Sequence, residues 1–122
     1  MQTKNDSREV VLSYIKSLDN QDYEAAENYL NGNIRIKGPE GESFSKPKDF
    51  SEMLRQYRGK YDVKKVFVDE DDVCLLYDLA TVVATVFMCS WYEVSGGKIT
   101  SIWTIFDPRP FALASRGNNL KR

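Results

Sequence analysis

The sequence predicts an α+β domain in which three helices pack on a curved, mixed or antiparallel sheet. The evidence is a helical apolar pattern near the start, a third helix after a short strand, and a final run of strands. At 122 residues the chain fits one domain. We expect that domain to span residues 1–122, with an ordered core from about 6 to 113 and a polar tail from 114 to 122.

The first two helices are predicted to form an α-hairpin. Asp6 is placed as a helix N-cap with Glu9 in the capping-box position, so that the first helix runs from about Ser7 to Leu18. Asp22 begins a second, shorter helix over residues 22–30. Gly32 is expected to supply a left-handed cap at its end.

The middle of the chain predicts a strand, a turn, a third helix and a second strand. Ile34 and Ile36 alternate with basic residues, which indicates a short half-buried strand, and residues 38–43 are expected to form a turn. Pro47 lies in the first turn of the third helix and Gly59 ends it. The next strand carries Val63, Val66 and Val68 and closes at an acidic turn over residues 69–72.

Residues 73–107 are predicted to form three strands joined by two turns. Gly96 and Gly97 tolerate the positive φ angles of a tight hairpin turn, which predicts that Trp91 pairs with Ile102 and Ser90 with Trp103. Both alternating side-chain sets of this hairpin are apolar, whereas a sheet with one wet face alternates apolar and polar residues. We therefore expect the helices to cover one face and a second copy of the chain to cover the other.

Composition excludes several classes of function. The chain has no histidine, which removes Ser-His-Asp systems and histidine metal ligands, and a net charge of −1 without a basic block does not indicate nucleic-acid binding. Cys74 and Cys89 lack the spacing of a zinc or redox motif and are read as free thiols. No signal peptide or membrane span is visible, so we expect a cytoplasmic protein without a metal, a cofactor or a membrane partner.

The chain resembles the nuclear transport factor two-like superfamily, in its SnoaL-like branch. The resemblance runs from Arg8 to Phe111, and its main pieces are residues 10–30, the Gly38-Pro39 turn and residues 96–107. It implies a cystatin-like cone in which the sheet curls round the helices to form a pocket. It also implies a homodimer through the outer sheet face.

The superfamily includes the ketosteroid isomerases, and the resemblance to them is incomplete. Tyr14 falls where those enzymes carry the tyrosine that donates a hydrogen bond to the substrate oxyanion. Gly38 precedes Pro39 at the position of their general-base aspartate, and either Ser90 or Trp91 replaces their neutral aspartic acid. Ketosteroid isomerase chemistry is therefore not expected.

Two strand aspartates remain as candidates for acid–base chemistry, because related polyketide cyclases and epoxide hydrolases rely on pocket aspartates. Asp78 lies in an apolar strand, where burial without a partner would raise its pKa; alternatively it reaches solvent or the turn at Thr81. Asp107 is either a pocket acid–base group, the cap of a turn, or the ion-pair partner of Arg109. Tyr14 is either a hydrogen-bond donor or a core residue.

Two functions stay open at this point. One is a cofactor-independent lyase, isomerase or cyclase with Asp78, Asp107 and Tyr14 as catalytic candidates, and the other is a non-catalytic ligand-binding or dimerisation module. In both, a small hydrophobic or aromatic ligand is expected in a pocket. Its predicted lining is Tyr14, Leu18, Tyr29, Phe50, Met53, Leu54, Tyr57, Met88, Trp91 and Trp103.

Overall fold

The computed structural model of the chain describes residues 4–112, and side chains from Ser7 onward. The predicted polar tail over residues 114–122 lies outside this range. The helices are α1 (Lys4–Asp19), α2 (Tyr23–Glu27) and α3 (Pro47–Arg55). The strands are β1 (Leu30–Gly38), β2 (Gly41–Ser45), β3 (Gly59–Asp69), β4 (Asp72–Thr81), β5 (Thr85–Ser95) and β6 (Lys98–Ile105).

The strands form one curved sheet in the order β2-β1-β6-β5-β4-β3. Every neighbouring pair is antiparallel except β1 and β6, which run parallel, so the sheet is mixed. The helices lie on one face of this sheet, and α1 contacts strands β3 to β6. The predicted α+β fold, with three helices on a curved mixed sheet, is confirmed.

The core forms where the apolar stripe of α1 meets the concave face of the sheet. Side chains on this face alternate along each strand, as the two-residue period of a strand requires. Burying each large apolar side chain contributes about 1.5–3 kcal/mol to folding. The buried apolar and aromatic residues that α1, β4 and β5 contribute are Val11, Tyr14, Ile15, Leu18, Val73, Leu75, Tyr77, Leu79, Val86, Met88, Tyr92 and Val94.

The N-terminal helices differ in extent from the prediction. Helix α1 already includes Lys4, so Asp6 lies inside the helix and is not its cap. Asp22 does cap α2, because its Oδ1 accepts a hydrogen bond from the Ala25 N–H at 3.1 Å. Helix α2 ends at Glu27 instead of residue 30.

The early end of α2 has a tertiary cause. The Tyr29 carbonyl accepts the Ile99 N–H at 2.8 Å, which draws the chain into the sheet beside β6. Leu30 therefore starts β1. Gly32 lies within that strand and is not among the residues with positive φ, so the prediction of a left-handed cap there was wrong.

Residues 38–45 form a hairpin, not the plain turn that was predicted for their first part. Strand β2 returns along β1 after a turn at Pro39 and Glu40, and Gly41 has a φ of 125°, which a residue with a side chain rarely adopts. The strand was missed because it lies at the sheet edge and is exposed along most of its length, so it lacks the alternation of a half-buried strand.

The β5–β6 hairpin has its predicted turn but a different register. Gly96 and Gly97 have φ angles of 58° and 77°. An irregularity between Glu93 and Val94 then shifts the pairing by one residue. Trp91 pairs with Trp103, not with Ile102.

Relative to the predicted pairing, this one-residue shift turns every side chain of β6 to the opposite face of the sheet. Ile102 is buried under the helices, and Trp103 lies beside Trp91 on the convex side of the sheet, with ring centroids 5.0 Å apart. We call this convex side the outer face. Its apolar residues across β3 to β6 are Phe67, Cys74, Leu76, Phe87, Cys89, Trp91, Trp103 and Ile105.

Candidate functional site

A cleft of about 560 Å³ opens where the end of α3, the β4–β5 turn and the last described helical turn meet. Three chain segments far apart in sequence form its walls. Its lining residues are Glu52, Arg55, Gln56, Tyr57, Arg58, Thr81, Val82, Val83 and Phe111.

The β4–β5 turn is held by Thr81. The Thr81 Oγ1 donates to the Ala84 carbonyl at 2.9 Å and accepts from the N–H groups of Val83 and Ala84 at 3.3 and 3.2 Å. These bonds replace ladder hydrogen bonds at the tip of the turn. The turn therefore presents Val82 and Val83 outward, and Val82 is fully exposed at the mouth of the cleft.

Aromatic side chains form the opposite wall. The Tyr57 and Phe111 rings meet edge to face at 5.6 Å, and Phe111 also contacts Phe106 at 6.0 Å. Phe111 lies in a helical turn over residues 109–112, whose N–H groups at Phe111 and Ala112 donate to the Pro108 carbonyl. The cleft thus combines an aromatic wall with an aliphatic one, as expected for a site that accepts an apolar group.

The charged residues at the cleft are mainly basic. The Arg55 Nε lies 3.7 Å from the Glu52 carboxylate, and both side chains are about half exposed, so this pair is weak. Arg58 forms no ion pair within residues 4–112. The cleft lining therefore has a net positive charge, from two guanidinium groups and one carboxylate.

Tyr23 is in contact with one of these arginines. The Arg55 guanidinium carbon lies 4.7 Å from the centre of the Tyr23 ring and covers it. The Tyr23 side chain is buried, and its Oη is the buried side-chain polar atom for which the described chain provides no hydrogen-bond partner. Such an unpaired group costs about 1–3 kcal/mol.

Four tyrosines cluster on the concave side of the sheet, where Tyr14, Tyr77 and Tyr92 are buried and Tyr61 is partly buried. Tyr61 stacks on Tyr77 at 5.6 Å, and Tyr14 meets Tyr92 edge to face at 6.2 Å. The Tyr77 hydroxyl is hydrogen-bonded to Ser90 Oγ at 2.9 Å. Burial raises the pKa of all four phenols, so they remain neutral at physiological pH.

The three catalytic candidates do not come together. Tyr14 is buried beneath α1 among the core tyrosines. Asp78 points to the outer face, where it pairs with Phe87 across the ladder and lies 3.8 Å from the Lys64 ammonium. The sheet itself therefore separates the Tyr14 hydroxyl from the Asp78 carboxylate.

Asp107 follows β6, where it both caps a turn and forms an ion pair with Arg109. Its carboxylate accepts the Arg109 backbone N–H at 3.0 Å and binds the Arg109 guanidinium through two oxygens, with Nη2–Oδ2 at 2.6 Å. These bonds fix the start of the helical turn that carries Phe111 into the cleft. Asp107 supports the cleft wall and is not among the cleft's lining residues.

The pKa of the Asp107 carboxyl is lowered well below its ordinary value. Hydrogen bonds from Arg109 lower the pKa of its carboxyl from 3.8 to about 2. A pKa lowered by folding means that the pair stabilises the fold above pH 3.8 and that this contribution is lost as pH falls through about 2. The contribution is small because the side chain is exposed to solvent.

Carbon-detected NMR of the side-chain carboxyl measures the Asp107 midpoint directly. The variant Arg109→Gln should return that midpoint to near 3.8, since the hydrogen bonds that lower the pKa are removed. An unchanged midpoint in this variant would contradict the assignment of the shift to Arg109.

The predicted pocket residues occupy several different places. Tyr57 lines the cleft, whereas Leu18, Phe50 and Met88 are buried in the core. Tyr29 and Leu54 pack against that core, and Met53 is 40% exposed outside the cleft. Trp91 and Trp103 lie on the outer face, so they line no space between the sheet and the helices. The register shift at β6 explains why Trp103 lies on the outer face and not in the predicted pocket.

Several cleft residues were not predicted as site residues. Arg55 and Arg58 lie at and after the end of α3, on the polar side of its stripe. Val82 and Val83 lie in a turn. Two consecutive valines in a turn, with nothing nearby to bury them, were the signal available in the sequence.

Within residues 4–112, no group of three or more acidic or cysteine side chains is placed to hold a metal ion. Cys74 and Cys89 are free thiols on the outer face with sulfur atoms 3.5 Å apart, and burial raises the pKa of Cys74 to about 11. No helix within residues 4–112 is long and apolar enough to span a bilayer.

The chain is similar to one protein family and to several solved structures. Residues 11–102 match the model of the SnoaL-like domain. A search of curated proteins gives no match. Among solved structures, an NTF2-like protein of unknown function from Cytophaga hutchinsonii is similar, with 33% identity, coverage of 87% of this chain and 94% of that chain, and a TM-score of 0.80.

Two more distant structures share the fold alone. An LEH-like epoxide hydrolase from Mycobacterium tuberculosis is 19% identical over 90% of this chain and 89% of its own, with a TM-score of 0.69. A de novo designed protein with a curved β-sheet is 22% identical over 98% of this chain and 99% of its own, with a TM-score of 0.78. The same curved sheet therefore occurs in an enzyme and in a designed protein.

Proposed function

The chain belongs to the family of proteins with a SnoaL-like domain, and we propose that within this family it acts as a homodimeric small-molecule-binding protein. The ligand occupies the cleft between α3, the β4–β5 turn and Phe111. The outer face of the sheet forms the dimer interface. Binding, and not acid–base catalysis by a strand aspartate, is the function.

The cleft is the observation that carries this proposal. Its volume of about 560 Å³ lies within the usual range for sites that hold small organic molecules. Tyr57 and Phe111 offer ring faces and edges, and Val83 offers an aliphatic surface that is already 47% exposed. A ligand with one or two aromatic rings would bury these groups at no cost in core packing.

The positions of the aspartates argue against a lyase, isomerase or cyclase that uses them. A general base must lie within hydrogen-bond reach of the proton that it removes. Asp78 lies on the far side of the sheet from the cleft, and Asp107 is held by Arg109 with a pKa of about 2, which makes it a poor base. Turnover that is lost in Asp78→Asn or Asp107→Asn would restore the enzymatic alternative.

The dimer proposal rests on the outer face. Phe87 is 56% exposed and Ile105 is 69% exposed, and they lie near Trp91 on adjacent strands. Contiguous apolar surface of this kind is typical of a protein interface. Ion pairs at its margins carry both signs of charge, for example Lys64 with Asp78 and Arg35 with Glu42, so the face can match a second copy of itself.

Truncation of the cleft aromatic tests the ligand proposal. We expect Tyr57→Ala to weaken binding of a cleft ligand by about tenfold, because losing a buried aromatic contact costs on the order of 1.4 kcal/mol. A thermal-shift panel of one- and two-ring aromatic compounds, both neutral and anionic, identifies the probe. Calorimetry then gives its affinity for each variant.

Phe44→Ala is the matched control for this measurement. Phe44 is also an exposed aromatic residue, but it lies on β2, away from the cleft lining. It should leave the affinity unchanged. A panel in which no compound raises the melting temperature, or equal losses in both variants, would overturn the ligand proposal.

A further inference from the structure

The lining of the cleft carries more positive than negative charge. Arg55 and Arg58 both line it, and Glu52 is the acidic residue in its lining. The whole chain carries a net charge of −1, so a positive balance at this cleft is a local feature and not a reflection of composition. Guanidinium groups bind carboxylates through two parallel hydrogen bonds, which favours anions with that planar shape.

Neither arginine is held in a strong ion pair within residues 4–112. The Arg55–Glu52 contact is 3.7 Å between half-exposed side chains three residues apart on α3, and such a pair exchanges readily for a better partner. Arg58 has no ion pair in the described part of the chain. Both guanidinium groups are therefore available to a ligand.

The Tyr23 hydroxyl is an independent observation that points to a ligand. The side chain is only 4% exposed, and its Oη lacks a hydrogen-bond partner among residues 4–112. Arg55, which lines the cleft, is in contact with this side chain, because its guanidinium carbon lies 4.7 Å from the centre of the Tyr23 ring.

We propose that the cleft is a site for amphipathic carboxylic acids, with Arg55 and Arg58 binding the carboxylate and the Tyr23 hydroxyl donating a hydrogen bond to it. The apolar body of the acid lies between Phe111 and Val83. This inference rests on the proposed ligand-binding function and names the class of ligand. It also gives the buried Tyr23 hydroxyl the hydrogen-bond partner that residues 4–112 do not provide.

A pair of isosteric probes separates the ligand class from the ligand site. 2-Naphthoate and 2-naphthamide share their shape and differ in charge. Calorimetry on the full chain should show 2-naphthoate binding at least tenfold more tightly, as expected when a charged hydrogen-bonding pair is gained. Arg55→Gln and Arg58→Gln should each remove most of that difference.

Lys48→Gln is the matched control, since it removes one exposed positive charge from the other end of α3. It should preserve the preference for 2-naphthoate. Equal affinities for the two probes in the wild-type protein would overturn the carboxylate inference and leave the ligand-binding function standing. Absence of binding by both probes would overturn the ligand-binding function together with the inference.

Tyr23→Phe distinguishes a binding role from a structural one. It removes an unpaired buried hydroxyl, so the melting temperature of the free protein should stay the same or rise. The affinity for 2-naphthoate should nevertheless fall about fivefold, as expected for the loss of one hydrogen bond. A lower melting temperature with unchanged affinity would show that Tyr23 serves only the fold and would overturn its part in the site.

Discussion

Replacing Trp91 with aspartate is expected to dissociate the proposed dimer into monomers. Trp91 lies near the middle of the outer face, where it is 36% exposed and packs against Trp103. A central tryptophan commonly dominates the energy of an interface, and a carboxylate in its place would be buried without a partner. We expect the dimer dissociation constant to rise at least 100-fold, which is a loss of roughly 2.7 kcal/mol.

Light scattering at micromolar concentration, coupled to size exclusion, measures this change. Ile105→Asp provides a second variant with less risk to the fold, because the Ile105 side chain is 69% exposed. Tyr57→Asp is the control, since it introduces the same charge at an exposed aromatic residue of the cleft. A monomeric wild-type protein, or a dimer that persists in both outer-face variants, would rule out this interface.

A methyl group at Gly59 is expected to destabilise the fold more than one at any other glycine within residues 4–112. Gly59 begins β3 and pairs with Thr81. A Cβ built there would lie 2.1 Å from the Ala80 carbonyl oxygen and 2.8 Å from its carbon, and both atoms belong to the backbone. The start of β3 would have to move away from β4.

We expect Gly59→Ala to lower the free energy of unfolding by about 3 kcal/mol, in the range of overpacking in a closely packed region. For a chain of this length that corresponds to a fall of roughly 10–15 °C in melting temperature. Calorimetry or circular dichroism measures the shift. We also expect the cleft to change shape, because the displaced β4 residues lead into the turn at Thr81, which lines the cleft.

Gly38→Ala is the matched control. Gly38 is also a strand glycine, but an added Cβ meets no atom within 4 Å and its φ is not positive. We expect a change within about 0.5 kcal/mol, as for most surface substitutions. Equal losses in the two variants would show that the loss of glycine itself, and not the contact with Ala80, causes the effect.

Sequence periodicity predicted the helices and the long strands because their apolar side chains recur at regular intervals. It failed at the β5–β6 hairpin, where an irregularity after Glu93 changes the register. Both faces of this hairpin are apolar, so the hydrophobic pattern could not reveal which register is correct. The consequence was large, since it moved Trp103 from the predicted pocket to the outer face.

The cleft was beyond sequence reasoning for a different reason. Its walls come from α3, from the turn after Thr81 and from Phe111, and nothing in the local pattern of any one segment shows that they meet. Asp78 illustrates the same limit. Its apolar neighbours suggested burial, whereas alternation along β4 buries Tyr77 and Leu79 and turns Asp78 to the outer face.

The central claim, that the cleft binds a small molecule without the strand aspartates, is tested most directly by NMR mapping of the bound probe. Titration of the isotope-labelled protein with 2-naphthoate should shift the amide signals of Arg55, Tyr57, Val83 and Phe111 together, in a saturable way. The Asp78 amide, on the outer face, should not move with them. Shifts centred on Asp78 and the outer face, or no saturable shift at the cleft, would contradict ligand binding in the cleft.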